Sequence, residues 1–173
     1  MGAGVNIRVI AVAAGAVLLQ LMLAPYIAIG GAMPNFVAAA AIVIAIVRHD
    51  RFGFALPFVM GLLYDLFSGN PVGCMAFTLL LVSYITSRLF SLLNNDTVLM
   101  AVLVAAAALL VVEVLYGVLL LMFGYAGGAL SALVYRALPS FVYDLVIAVI
   151  LYPLFKRLFA ETAPVQSAIT RLR

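Results

Sequence analysis

The chain has 173 residues, of which 68% are hydrophobic and 9% are charged, and its formal net charge is +3. A soluble domain of this length is nearer half apolar and about a quarter charged. So much apolar side chain would leave a soluble protein with large exposed patches, whereas a lipid bilayer solvates them. The composition therefore indicates an integral membrane protein and excludes an ordinary soluble domain.

The basic excess does not indicate a nucleic-acid binder, because the basic residues are scattered over segment ends without a patch or interleaved aromatic residues. Basic flanks are what a membrane protein uses to fix its orientation. The single cysteine, Cys74, excludes an intramolecular disulfide, and we interpret it as a small apolar filler. The lone His49 has no partner at metal-ligand spacing. We expect no bound metal, cofactor or nucleic acid.

Continuous apolar runs, rather than the alternating pattern of a membrane β-barrel, predict α-helices. The first run resembles a signal peptide, but no cleavage site stands out, so we expect an uncleaved first helix. The last run is too long for one span and contains Pro139, which predicts an interfacial piece up to about Leu138 and then a separate helix. The predicted architecture is a single all-α domain over residues 1–173 with six spans, at about 9–29, 34–47, 52–67, 72–90, 97–123 and 139–158.

The second and third predicted helices are short, since about 15 residues give roughly 22 Å against a hydrocarbon core of about 30 Å. A re-entrant hairpin is the alternative. It would place the charged residues 48–51 near the bilayer centre, at a cost of about 2.5–3.5 kcal/mol per charge. Two full spans with local thinning of the bilayer cost less, and we expect those.

The basic residues divide unequally between the two sides of this arrangement. One side has Arg136 alone, and the other has Arg8, Arg48, Arg51, Arg88, Lys156, Arg157, Arg171 and Arg173. The positive-inside rule therefore places both termini in the cytoplasm, which requires an even number of spans and agrees with six.

Four ionisable residues lie within or beside the predicted spans, where apolar surroundings make charge costly: Asp65, Glu113, Arg136 and Asp144. Either they line a cavity or contact another subunit, or they satisfy one another, with Arg136 paired to a carboxylate and the others capping helix ends or protonated. Asp65 is the most easily explained as structural, because it lies about one turn from the outer interface. The depth of Glu113 favours a functional role.

The aspartates do not match an intramembrane aspartyl protease, since no Gly-x-Gly run precedes Asp65 or Asp144. The sequence also has no Ser/His arrangement, no phosphate-cradling loop and no His/Glu metal spacing. We expect no enzymatic activity and no catalytic residue.

The segment from Gly61 to Gly73 reads Gly-Leu-Leu-Tyr-Asp-Leu-Phe-Ser-Gly-Asn-Pro-Val-Gly and resembles the signature of the MreD family of bacterial rod shape-determining membrane proteins. The positions that match are Gly61, Leu62, Asp65, Leu66, Ser68, Gly69, Pro71 and Gly73. Pro34, Arg51, Gly53 and residues 153–157 extend the resemblance over nearly the whole chain. Asn35 departs from it, because the family pattern has an aspartate after the proline, and His49-Asp50 replaces a more usual Arg-Pro.

The resemblance implies a non-catalytic scaffold of the cell-elongation machinery in the bacterial cytoplasmic membrane. Such a scaffold binds the bitopic protein MreC and helps couple MreB filaments to peptidoglycan synthesis by a RodA-type glycosyltransferase and a transpeptidase. The implied fold is similar to that of the substrate-binding subunits of energy-coupling-factor vitamin transporters. A small-molecule-binding subunit of that kind is the alternative, although the outer loops are short and nearly free of polar side chains and the chain has no Trp.

The outer turn with Ser68, Gly69, Pro71 and Gly73 has no bulky side chain, and residues 124–131 form a Gly-rich connection. Both are suited to close approach by a partner on the periplasmic side. We expect the outer ends of the third to sixth helices to contact MreC.

Overall fold

Six α-helices form in the part of the chain that the computed structural model describes, which is residues 7–28, 32–48, 53, 55–93, 97–124 and 130–160, with the side chains of 130–137 and 160 excepted. The helices are α1 (Ile7–Met22), α2 (Phe36–Val47), α3 (Ala55–Ser68), α4 (Cys74–Leu93), α5 (Val98–Met122) and α6 (Leu130–Ala160). Within these described residues, three segments are long and apolar enough to cross a membrane: Cys74–Leu93, Val98–Met122 and Leu138–Phe159. The helices α1, α2 and α3 are shorter but also apolar.

Helix α2 is the centre of the bundle and packs against all five other helices. All of its residues from Phe36 to Ile46 are buried. A helix that is surrounded has no need of a polar face, which is why this segment is a continuous apolar run. Its four consecutive alanines, residues 38–41, let neighbouring backbones approach closely. With 12 residues, α2 is about 18 Å long, so it spans the membrane only where the hydrocarbon core is thinner than its usual thickness of about 30 Å.

The start of α1, the end of α2 and the end of α6 lie together at one end of the bundle. The Arg8 guanidinium donates a hydrogen bond to the Leu158 carbonyl at 3.2 Å. The Arg48 guanidinium lies 5.6 Å from the centroid of the Phe159 ring, a cation–π contact. Three segment ends that the charge pattern assigns to one side of the membrane are thus adjacent, while the orientation itself stays a prediction.

Several helix boundaries differ from the sequence prediction by a few residues, and two of these differences have a clear local reason. Helix α1 ends at Met22 rather than near residue 29, because Pro25 lacks an N–H and disfavours helical backbone at the residue before it. Helix α2 begins at Phe36, two residues later than predicted, because Asn35 is its N-cap. The predicted start of the fifth helix agrees with the structure, where the Thr97 hydroxyl caps α5 by accepting a hydrogen bond from the Met100 N–H at 3.4 Å.

Helix α6 corrects the prediction of a break near Leu138. It continues as one helix of 31 residues with both Pro139 and Pro153 inside it. A proline removes one N–H from the helical ladder and displaces one carbonyl. Apolar helix bundles tolerate this, because local bending and neighbouring groups satisfy the freed carbonyl.

Candidate functional site

Four of the buried polar side chains, those of Gln20, Asn35, Asp65 and Asp144, bind backbone groups at the starts of α2 and α4. The first N–H groups of a helix have no partner within it, and apolar surroundings supply no water to replace one. Side chains from neighbouring helices satisfy both N-termini here. We call Asp65 with the N–H groups that it binds the α4 cap site, and Gln20, Asn35 and Asp144 the α2 cap cluster.

The α4 cap site joins the end of α3 to the start of α4. The Asp65 carboxylate is fully buried and accepts hydrogen bonds from the N–H groups of Gly73 at 2.9 Å, Met75 at 2.9 Å and Ala76 at 3.3 Å. Gly73 occupies the N-cap position, since its carbonyl accepts the Phe77 N–H at 2.9 Å. It has no side chain to cap the helix, so Asp65 takes over that role and also places a carboxylate at the positive end of the helix dipole.

Gly61 lets α3 touch α4 at the same place. It lies four residues before Asp65 and therefore on the same face of α3. A Cβ atom at Gly61 would lie 2.6 Å from the Cα of Ala76 and 2.7 Å from the carbonyl carbon of Met75. Only glycine allows this backbone contact. Gly61 and Asp65, on the same face of α3, therefore both join α3 to α4.

The turn between α3 and α4 depends on two glycines for its backbone conformation. Gly69 has a φ of 69° and Gly73 a φ of 104°, which favour glycine over residues with a Cβ. A Cβ at either position would meet no atom within 4 Å. The glycines are therefore explained by backbone conformation, and the space beside them is open.

Asn70 connects this turn to α5. Its side-chain amide donates hydrogen bonds to the Tyr116 hydroxyl at 2.9 Å and to the Ser68 hydroxyl at 3.2 Å. The Tyr116 ring also lies edge-on to the Tyr64 ring, with centroids 6.1 Å apart. Pro71 closes the turn, because its carbonyl accepts the Cys74 N–H at 3.3 Å. Asn70 therefore joins the turn to α5, and the Pro71–Cys74 bond joins it to the start of α4.

The α2 cap cluster brings together side chains from three parts of the chain. The Gln20 side chain of α1 accepts the Phe36 N–H at 2.7 Å and donates to the Pro34 carbonyl at 3.1 Å. The Asn35 side chain accepts the Ala38 N–H at 2.9 Å. The Asp144 carboxylate of α6 accepts the Asn35 N–H at 2.6 Å. The central helix is therefore held at its start by side chains of α1 and α6 and by its own N-cap.

Glu113 is the charged neighbour of Asp144 within the described part of the chain. It lies on α5, is half-buried, and its carboxyl group is within hydrogen-bonding reach of the Asp144 carboxyl. Asp144 is fully buried, and its second oxygen, Oδ2, meets no N–H or O–H donor among the described residues. The two carboxyl groups are thus neighbours, and neither donates a hydrogen bond to the other while both are charged.

The predicted site residues separate into these groups. Asp65, Ser68, Gly69, Pro71 and Gly73 form the α4 cap site and its turn. Glu113 and Asp144 form a second group, in which Asp144 also belongs to the α2 cap cluster. The backbone of Arg136 lies in α6, but its side chain, like the whole of His49, is outside the described residues, so the predicted pairing of Arg136 with a carboxylate stays a prediction.

Sequence reasoning missed Gln20, the capping role of Asn35, and the Asn70–Tyr116 bond. Gln20 had a signal, because it is the one amide in an otherwise apolar helix after Arg8. Asn35 follows a proline and precedes an apolar run, which is an N-cap pattern. The Asn70–Tyr116 bond joins residues 46 positions apart, and no local pattern indicates it.

The site does not have the composition of a catalytic centre. Asp65 and Asp144 bind the N-termini of different helices and are not partners. Among the residues that the structure describes, no group of three or more His, Cys, Asp or Glu side chains is placed to hold a metal ion. Cys74 is buried at the start of α4 and forms no disulfide.

A groove between α2, α5 and α6 is apolar. It is lined by small and aliphatic residues and one tyrosine: Val43, Ile46, Ala101, Val102, Ala105, Ala148, Val149 and Tyr152. It encloses no space that a water molecule could occupy, whereas small-molecule sites are typically about 300–1,000 Å³ and carry convergent polar groups. This groove does not resemble a vitamin-binding site.

These features define a class of protein, an α-helical membrane protein. In the part of the chain that the structure describes, buried polar side chains join its helices to one another. The family model described as "rod shape-determining protein MreD" matches residues 5–162. The chain belongs to the MreD family, a family of shape-determining structural proteins, and has a role in determining rod shape. None of the curated proteins and none of the solved structures matches the chain.

Proposed function

We propose that the chain is a non-catalytic scaffold of the rod complex, with six spans in the bacterial cytoplasmic membrane and both termini in the cytoplasm. It binds MreC and helps to couple MreB filaments to peptidoglycan synthesis by a RodA-type glycosyltransferase and a transpeptidase. The single observation that carries this proposal is the family match over residues 5–162.

The use of the buried polar groups supports a scaffold rather than an enzyme. Asp65, Gln20 and one oxygen of Asp144 bind backbone groups at the start of a neighbouring helix, and the Asn35 side chain caps its own helix. Groups engaged in this way hold a structure and are not free to bind a substrate. A scaffold needs such a fixed framework, because its surface must present the same contacts to several partners.

The α3–α4 turn is the part of this surface that we assign to MreC, together with the neighbouring ends of α5 and α6 on the periplasmic side. Phe67 and Val72 flank the turn and are exposed, at 60% and 62% of their surface. The space beside Gly69 and Gly73 is open. The α4 cap site and the Asn70–Tyr116 bond hold the turn rigidly, which lowers the entropy cost of binding a partner.

A pull-down in gentle detergent from the protein's own membranes tests the proposed function. The tagged chain is purified, and the proteins that accompany it are identified by mass spectrometry. Recovery of MreC, with MreB or the wall synthases, is the expected result. Recovery of a transmembrane coupling subunit with paired ATPases would instead support the vitamin-binding subunit and overturn the scaffold.

A charged substitution at the turn tests the contact surface. Replacing glycines there would strain the backbone, so Val72→Arg is the better variant. It is expected to reduce MreC recovery strongly, because it places a bulky charge on the proposed contact. Leu92→Arg is the matched control, since Leu92 is also exposed but lies near the other end of α4. Equal recovery of MreC with both variants would contradict the placement of the MreC contact at the α3–α4 turn.

A further inference from the structure

The second oxygen of Asp144 is a buried acceptor that the helix caps do not use. Oδ1 accepts the Asn35 N–H at 2.6 Å, whereas Oδ2 has no N–H or O–H donor among the described residues. Asp144 is 0% exposed. A buried polar atom without a hydrogen bond is costly, and natural proteins seldom leave one so. The group that lies against this carboxyl is the side chain of Glu113.

Two carboxylates in contact in apolar surroundings repel each other, and neither donates a hydrogen bond to the other. A single proton between them removes the repulsion and supplies the missing donor. The pair then carries one negative charge, which the Asn35 N–H and the positive end of the α2 dipole stabilise. The need for a hydrogen-bond donor and the repulsion between the charges therefore both favour a pair that holds one proton.

We propose that Glu113 and Asp144 form an intramembrane site that binds one proton, shared between the two carboxyl groups, and that this shared proton joins α5 to the junction of α2 and α6. The site is separate from the proposed contact with MreC. Its two carboxyl groups differ in access, because Glu113 is half-buried and Asp144 is fully enclosed. An apolar reagent in the membrane is therefore expected to reach the pair through Glu113.

Labelling with N,N′-dicyclohexylcarbodiimide tests the protonated state directly. This reagent reacts with protonated carboxyl groups: the carboxyl oxygen bonds to the carbodiimide carbon, and the acid proton passes to one of its nitrogens. The parent chain, labelled in membranes at neutral pH and digested, is expected to carry the adduct on Glu113. The Asp65 carboxylate, which accepts three N–H groups, is expected to stay unmodified.

Two variants make the labelling decisive. Glu113→Cys, treated with N-ethylmaleimide in the same membranes, shows whether apolar reagents reach this position. Once access is shown, an unmodified Glu113 in the parent chain would overturn the proposal. In Asp144→Asn, the new amide donates to a charged Glu113, so labelling is expected to fall. Undiminished labelling would mean that Glu113 holds its proton without Asp144, and would overturn the shared site.

The thermal stability of two further variants tests independently for a hydrogen-bond donor at position 113. Glu113→Gln supplies an amide N–H in place of the shared proton and is expected to keep the parent melting temperature in detergent. Glu113→Leu has a similar size but no donor and is expected to melt earlier. A loss in Glu113→Gln as large as that in Glu113→Leu would contradict a donor at this position.

Discussion

The carboxylate of Asp65, near the end of α3, accepts the Met75 N–H at 2.9 Å in the first turn of α4. A helix is normally capped by the residue immediately before it. Here that position is a glycine, and the cap comes from the preceding helix. The segment that resembles the family signature, Gly61 to Gly73, is therefore a single structural unit that closes one helix hairpin.

Removal of the Asp65 side chain is expected to destabilise this hairpin. Asp65→Ala leaves three N–H groups buried without a partner, and we expect the free energy of unfolding to fall by about 2–4 kcal/mol. Asp65→Asn keeps one acceptor oxygen and is expected to fall between Asp65→Ala and the parent chain. Thermal unfolding in detergent, monitored by size-exclusion chromatography, measures the order of stability of the three chains. Leu66→Ala is the control at an exposed neighbour, and an equal loss there would contradict the capping role.

The contact between Gly61 and the α4 backbone predicts intolerance of even one methyl group. Gly61→Ala would place its Cβ 2.6 Å from the Ala76 Cα, and overpacking of this kind costs about 1–3 kcal/mol. Gly15→Ala is the matched control, because Gly15 is also helical but has no atom within 4 Å of an added Cβ. It is expected to leave stability unchanged or raise it by up to about 1 kcal/mol. Equal melting temperatures for the two variants would refute the close contact.

The hydrogen bond between Asn70 and Tyr116 is testable by a double-mutant cycle. Tyr116→Phe and Asn70→Ala each remove it, at an expected cost of about 0.5–1.5 kcal/mol. If the bond acts as the geometry indicates, the double variant loses less than the sum of the single variants. Additive losses in chemical unfolding would show that the two residues act separately.

The α2 cap cluster predicts that one amide in α1 controls the stability of the central helix. Gln20→Leu removes the acceptor of the Phe36 N–H and the donor to the Pro34 carbonyl. We expect a loss of about 1–3 kcal/mol, although leucine suits an apolar helix better than glutamine. Ser91→Ala, at an exposed position on α4, is the control. A Gln20→Leu chain as stable as the parent would contradict the role of Gln20.

The sequence was sufficient to predict the helices but not the way in which they are joined. Apolar runs predicted all six helices, and Thr97 marked the start of α5. The continuity of α6 through Pro139 was not predicted, because the helix-breaking tendency of proline is local, whereas its tolerance depends on the surrounding bundle.

The candidate site was predicted as separate residues rather than as pairs. Capping was one of the two interpretations of Asp65, but its partners lie on the next helix, and the Asn35–Asp144 bond joins residues 109 positions apart. The departure of Asn35 from the family pattern has little structural consequence, since Asn and Asp are equally good N-caps. Asn35 does cap α2.

The shape of cells depleted of the chain tests the central claim, a scaffold of the rod complex, most directly. Depletion in the protein's own host, followed by microscopy, is expected to give cells that lose their rod shape. Expression of the parent chain is expected to restore the shape, and Val72→Arg, with its MreC contact impaired, is expected to restore it less well than Leu92→Arg. Cells that keep their rod shape after depletion, while the uptake of a vitamin declines, would contradict the scaffold and support a transport subunit.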